Sequence, residues 1–153
     1  MAQYRVQQAV SGRHATIHAT VNGVVHELGM VKTFESSVES SDTEVNTLRG
    51  PWTGHKGGPC SGSISMTIYF GCPLFHKMMA DYIQTGVDTY FKLTVVNNDP
   101  GSEQGAQTCF YQDCRLVSIQ PSKADVDTDV LEEDIEINFA GLEYGGNFAD
   151  NTI

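Results

Sequence analysis

The sequence lacks any apolar run approaching the roughly 20 residues of a membrane-crossing helix, so no stable membrane association is expected. Its start, Met1-Ala2-Gln3-Tyr4-Arg5-Val6-Gln7-Gln8, holds no apolar h-region, and no secretory signal is expected there. Basic residues are scarce, nine against 19 acids, and none lies between Ala124 and Ile153, where nine of the acids are. The rest of the chain is nearly neutral. That distribution disfavours a direct grip on nucleic acid, which needs a basic footprint. It suits either a surface that repels nucleic acid or a plain solvated acidic face. Cysteines number four, Cys60, Cys72, Cys109 and Cys114, and in a chain made in the cytoplasm they are expected as free thiols. His55-x4-Cys60 and Cys72-x3-His76 lack the short paired-cysteine turns of a structural zinc site, so no metal and no cofactor is expected. Tryptophan occurs once, as Trp52.

What is present reads as one mainly β domain over residues 1–153, large enough for a core without staples. Thr16 to Val21, Asn22-Gly23 and Val24 to Leu28 form a hairpin signal, because Asn-Gly accepts the positive φ of a type I′ turn. Met30 to Glu39 and Ser63 to Phe70 read as strands. Pro73 suits the first turn of a helix, and Phe75, Met78, Met79, Tyr82 and Ile83 then fall on one helical stripe that predicts packing on the sheet. Gly86 sits where a C′ glycine belongs. Thr89 to Val96 and Gln107 to Gln120 read as further strands, with a bulge or bend marked at Asp113-Cys114-Arg115. In Leu131 to Phe139, Ile135, Ile137 and Phe139 share one face, and Glu132, Asp134, Glu136 and Asn138 share the other. The expected fold is an antiparallel β-sandwich or barrel with one packed α-helix. An N-terminal arm is expected over residues 1–12 and a loose C-terminal tail over 141–153.

The stretch from Phe34 to Phe70 organises the rest. Arg49 to Gly62 carries five glycines and two prolines, and residues 41–62 show no period. A connection of about twenty residues inside a compact domain is a functional loop or disorder. Trp52 and Leu48 are costly to expose on a monomer and useful in an interface. Residues 41–62 are therefore expected to be a long inter-subunit loop, mobile alone and ordered against a neighbour, with Leu48, Arg49, Trp52, His55 and Lys56 as contacts.

Catalytic signatures fail on context. Gly58-Pro59-Cys60-Ser61-Gly62 has the shape of a nucleophile elbow, but a loop precedes it and a strand follows. Gly50 to Lys56 lacks the Gly-Lys-Ser/Thr ending of a phosphate loop. Glu132, Glu133, Asp134 and Glu136 lack the pocket that separates two catalytic carboxyls, and the glycine and spacing of a calcium loop are absent. His14, His18 and His26 read as exposed residues in or beside the first hairpin. No enzyme is expected.

The ordered set Met30-Val31-Lys32-Thr33-Phe34-Glu35, Glu44-Val45-Asn46, Thr53-Gly54-His55-Lys56, Gly62 to Tyr69, Met78 to Tyr82, Thr85 to Phe91, Asp125-Val126-Asp127 and Leu131-Glu132-Glu133 resembles the tail tube proteins of contractile-tailed phages and phage-derived bacteriocin particles. Gly50-Pro51-Trp52, the cysteines and the glycine-rich end depart from that pattern. The resemblance implies a homo-hexameric ring whose inner strands form one continuous barrel. It also implies stacking into a hollow tube, with sheath, baseplate, tail terminator and tape-measure proteins as partners. The particle would be assembled in the host bacterial cytoplasm, and DNA would pass through without specific binding. An acidic face is expected to line the lumen, built from Glu132, Asp134 and Glu136 or from Glu35 and Glu39, a choice that local sequence leaves open. The alternative is a monomeric β-sandwich binding module whose Trp52 loop holds a peptide or glycan.

Overall fold

The computed structural model describes residue 13 and residues 15–71, 73–98, 100–101 and 106–146. The expected arm over 1–12, His14, Cys72 and the end of the chain beyond 146 lie outside the described residues. The elements are β1 (Ala15–Val21), β2 (Val24–Glu27), β3 (Val31–Val45), β4 (Gly54–Tyr69), α1 (Pro73–Thr85), β5 (Phe91–Asn98), β6 (Ala106–Ser118), β7 (Glu132–Phe139) and β8 (Gly141–Gly146). All pairings are antiparallel, in the order β2-β1-β5-β6-β7-β4-β3, with β8 added beside β6.

The sheet folds over on itself at β6. Its first part pairs with β5 and β8, and Arg115 to Ser118 pair with β7 instead. Asp113 makes the change of direction with φ of 52°, a conformation that Asp tolerates better than most residues, where the sequence marked a bend. The two halves face each other across one core. Ile17, Ala19, Phe91, Leu93 and Tyr111 come from one half, and Ile64, Met66, Ile68, Leu116, Ile135, Ile137 and Phe139 from the other. The sheet does not close into a barrel, since β2 and β3 are its two ends. A cleft of about 780 Å³ lined by Thr16, Glu27, Val31, Phe34 and Asn97 marks the gap.

The first hairpin turns through Asn22 (φ 51°) and Gly23 (φ 81°) as its sequence dictates. Helix α1 ends as expected, with Gly86 at φ 71° and its N–H donating to the Tyr82 carbonyl at 2.8 Å. The apolar stripe is only half used, however. Phe75 and Met78 are buried and Met79 partly so, whereas Tyr82 is at the surface and Ile83 is exposed. The helix runs off the end of the core, and Tyr82 serves as a platform for Arg115, 5.4 Å from its ring centroid.

Two further expectations are corrected. Residues 41–62 are mostly strand, because β3 and β4 stay paired out to Val45 and Gly54, leaving only residues 46–53 as a connection. A two-stranded ribbon with both faces in solvent has no buried side to impose alternation, so the pattern that marks a strand is missing there. Residues 141–146 are β8 rather than loose tail. Gly141 and Gly145 leave room for the side chains of Gln112 and Phe110, which lie close over them.

Candidate functional site

Strands β3 and β4 carry two different surfaces along one hairpin. At the base, where β4 is also paired with β7, side chains alternate strictly. Ile64, Met66 and Ile68 enter the core while Ser63 and Ser65 point to solvent. The ladder places Glu35 beside Ser65 and Ser65 beside Glu136, and likewise Thr33 beside Thr67 and Thr67 beside Asp134. The two acidic sets read from the sequence therefore belong to one face. Glu39 extends that face opposite Ser61, beyond the end of β7. Glu132 closes it at the other end, opposite Tyr69, where its carboxylate meets the Lys32 ammonium at 2.5 Å and holds that ammonium above the usual lysine range. Between the acids lie short hydroxyls, joined by Ser37–Ser63 at 3.0 Å and by the Thr67 hydroxyl donating to Asp134 at 2.9 Å. The result is an acidic, hydroxyl-covered surface, with Lys32 and Tyr69 at its Glu132 end.

Past Gly62 the hairpin leaves the sheet and continues as a free ribbon. Its register shifts between Ser40 and Asp42, a bulge at which Gly58 packs so tightly on Ser41 that a Cβ there would lie 2.1 Å from the hydroxyl oxygen. Beyond it, His55 Nδ1 pairs with Asp42 at 2.8 Å. Leu48 is fully exposed and Trp52 is 86% exposed at the turn, with Arg49, His55 and Lys56 exposed beside them. All five contact residues named from the sequence are thus gathered at the outer end of one ribbon. Isolated two-stranded hairpins are marginal in water, and this one carries an exposed indole at its end.

The phage tail tube protein family model matches residues 2–145. The chain belongs to this family. A relative in Bacillus subtilis (strain 168), the phage-like element PBSX protein XkdM, is 30% identical over 146 residues, spanning 95% of this chain and 97% of the relative. Among solved structures, the six-fold symmetrised baseplate of the anti-feeding prophage contains a chain matching with a TM-score of 0.66 at 12% identity, over 95% of this chain and 98% of that one. The PVC sheath–tube complex of an extracellular contractile injection system, in its extended state, matches with a TM-score of 0.66 at 11% identity, over 91% and 93%. At such identities the likeness is one of fold.

The tail tube subunit also buries a group that the sequence reading sets aside with the neighbouring carboxylates. Glu133 shares the inward parity of Ile135 and Ile137 and is fully buried. His76 Nε2 lies 2.7 Å from its Oε1, which also accepts the Gln120 N–H at 3.2 Å, while Oε2 is buried with no partner among the described residues. This bond ties α1 to β7 beneath the acidic face. The alternation that assigns Ile135 to the core contained the signal, since it assigns Glu133 with it. Cys60, Cys109 and Cys114 are free thiols, exposed, partly buried and buried in turn. Among the described residues, no group of three or more His, Cys, Asp or Glu could hold a metal ion, and no helix is long and apolar enough to cross a membrane.

Proposed function

We propose that this tail tube subunit works by polymerisation and carries out no chemistry. Six copies form a ring, with the Glu35–Ser65–Glu136 face turned to the lumen and the Trp52 turn reaching the next ring. The observation that carries this reading is the division of labour along one hairpin, an acidic base within the sheet and an aromatic tip outside it. Among the described residues the fifteen-residue β3 pairs on one side only; such an edge is an aggregation hazard in a monomer, and lateral pairing in a ring would remove it. Carboxylates on the wall repel phosphates within a screening length of about 8 Å at physiological salt, which lets DNA slide without adhering. Six copies accord with the six-fold symmetry of the anti-feeding prophage baseplate. A sheath accords with the sheath–tube complex, a tail terminator with the sheath/tube terminator of the same kind of injection system, and a tape-measure protein completes the partners that the resemblance implies. The Trp52 turn projects from a ribbon, a shape suited to insertion into a neighbour rather than to holding a peptide or glycan.

The test shortens the hairpin. Residues 41–59 are replaced by Asn-Gly, which joins Ser40 to Cys60, already opposite each other in the ladder. The protein should stay folded, because the core-facing part of both strands is kept, and should fail to form long tubes in negative-stain micrographs. Normal tubes from the shortened chain would overturn the reading.

A further inference from the structure

Strand directions place the tip of the hairpin and the β6–β7 connection at opposite poles of the same sheet. The turn lies beyond the Val45–Gly54 pair, whereas β7 begins at Glu132 opposite Tyr69, the far end of β4. The two poles are chemically complementary. From Asn46 to Cys60 there is no acid, and Leu48-Arg49, Trp52 and Lys56 follow one another across the turn; on the outgoing strand Asp42 is engaged by His55, and Glu44, opposite His55 in the ladder, is the acid that remains beside the tip. At the other pole, residues 119–131 expose Asp125, Asp127 and Asp129 around Val126, which is fully exposed, and Val130. Lys123, the one base in that connection, donates to the Glu132 carbonyl at 3.0 Å. The loop is braced from within. Asp125 accepts the Thr128 hydroxyl at 2.7 Å and the Asp127 N–H at 3.0 Å.

We infer that the β6–β7 loop is the socket for the hairpin tip of a second copy in the adjoining ring. Val126 and Val130 meet Leu48 and Trp52, and Asp127 and Asp129 face Arg49 and Lys56. The inference rests on the reading of the tip as the stacking contact and adds its partner surface. Charge complementarity and a preformed loop favour this occupant. Reach favours it too, since the seven ribbon residues from Glu39 to Val45 extend about 23 Å past the sheet at ~3.3 Å per residue. A contact between unlike poles of identical chains is heterologous, and it propagates into a filament when it does not close on itself. Charges of both signs would fix the register between rings more than they add affinity.

The test exchanges the charges. Asp127→Lys with Asp129→Lys reverses the socket, and Arg49→Glu with Lys56→Glu reverses the tip. Each variant alone should keep its melting temperature and need about tenfold more protein, or greater, before sedimentable tubes form. Mixing the two in equal amounts should restore assembly, because each tip then meets a socket of opposite sign. The isosteric pair Asp127→Asn with Asp129→Asn should give a smaller rise, which guards against misfolding of the lysine variant. If socket reversal leaves assembly unchanged, or the mixture fails to recover, the socket assignment is overturned. The shortened hairpin separates the two ideas. Loss of tubes there beside an unaffected socket variant removes only the socket, whereas intact tubes remove the stacking reading as well.

Discussion

Glu133 is the residue whose environment is most demanding. A carboxyl at full burial is tolerable here because His76 and the Gln120 N–H meet one of its oxygens. Removing the imidazole leaves the carboxyl without its side-chain partner, and losing one member of a buried pair costs on the order of 3 kcal/mol. His76→Ala should therefore lower the melting temperature by several degrees, whereas Glu133→Gln, which keeps an acceptor, should lower it less. Thermal unfolding of both variants checks this, and equal losses would show that the pair contributes nothing special. The thiols separate by the same logic of burial. Desolvation pushes Cys114 up to about 12, so its reactive thiolate is scarce at neutral pH, whereas Cys60 lies exposed on the ribbon. Alkylation of the native protein at pH 8 should label Cys60 within minutes and spare Cys114 until denaturant is added. Rapid labelling of Cys114 would contradict its position in the core.

At the level of elements, α1 acts through its first two turns. Phe75 is fully buried and packs on Phe91 with ring centroids 6.1 Å apart, so Phe75→Ala should cost about 3–5 kcal/mol. Ile83→Ala should cost under about 1 kcal/mol in the monomer, because Ile83 is exposed. Chemical denaturation of the two variants distinguishes this arrangement from one in which the whole stripe is buried. The β3–β4 ribbon behaves as a different kind of element. Outside the sheet it is held by ladder bonds and the Asp42–His55 pair, without a core beneath it. Trp52→Ala should leave the monomer's melting temperature nearly unchanged and weaken polymerisation, which sedimentation measures.

For the whole molecule the decisive quantity is the sign of one face. Glu35 and Glu136 flank Ser65 on neighbouring strands, and six copies would repeat that row around a ring. Glu35→Lys with Glu136→Lys should preserve the fold, since both side chains are exposed. It should yield tubes that retain DNA at low salt and release it as salt rises. Tubes whose DNA retention is unchanged by the substitution would place this face away from the lumen.

Local sequence determined the elements whose physics is local. Asn22-Gly23 specified its turn, Pro73 and Gly86 bounded α1, and the alternation after Leu131 specified β7, because φ preference and side-chain period act within a few residues. Those residues also sufficed to bring Leu48, Arg49, Trp52, His55 and Lys56 together, since they follow one another along the chain. Long-range pairing was decided only in three dimensions. No local signal reveals that Glu35 and Glu136 share a face, because that depends on the register of β4 between two strands far apart in sequence. The ribbon was hidden for a related reason. A strand pattern is written by burial, and where neither face is buried within one chain the sequence is free to be polar and glycine-rich. Ile83 shows the converse, an apolar position on a perfect helical stripe left outside because the core ends before the helix does.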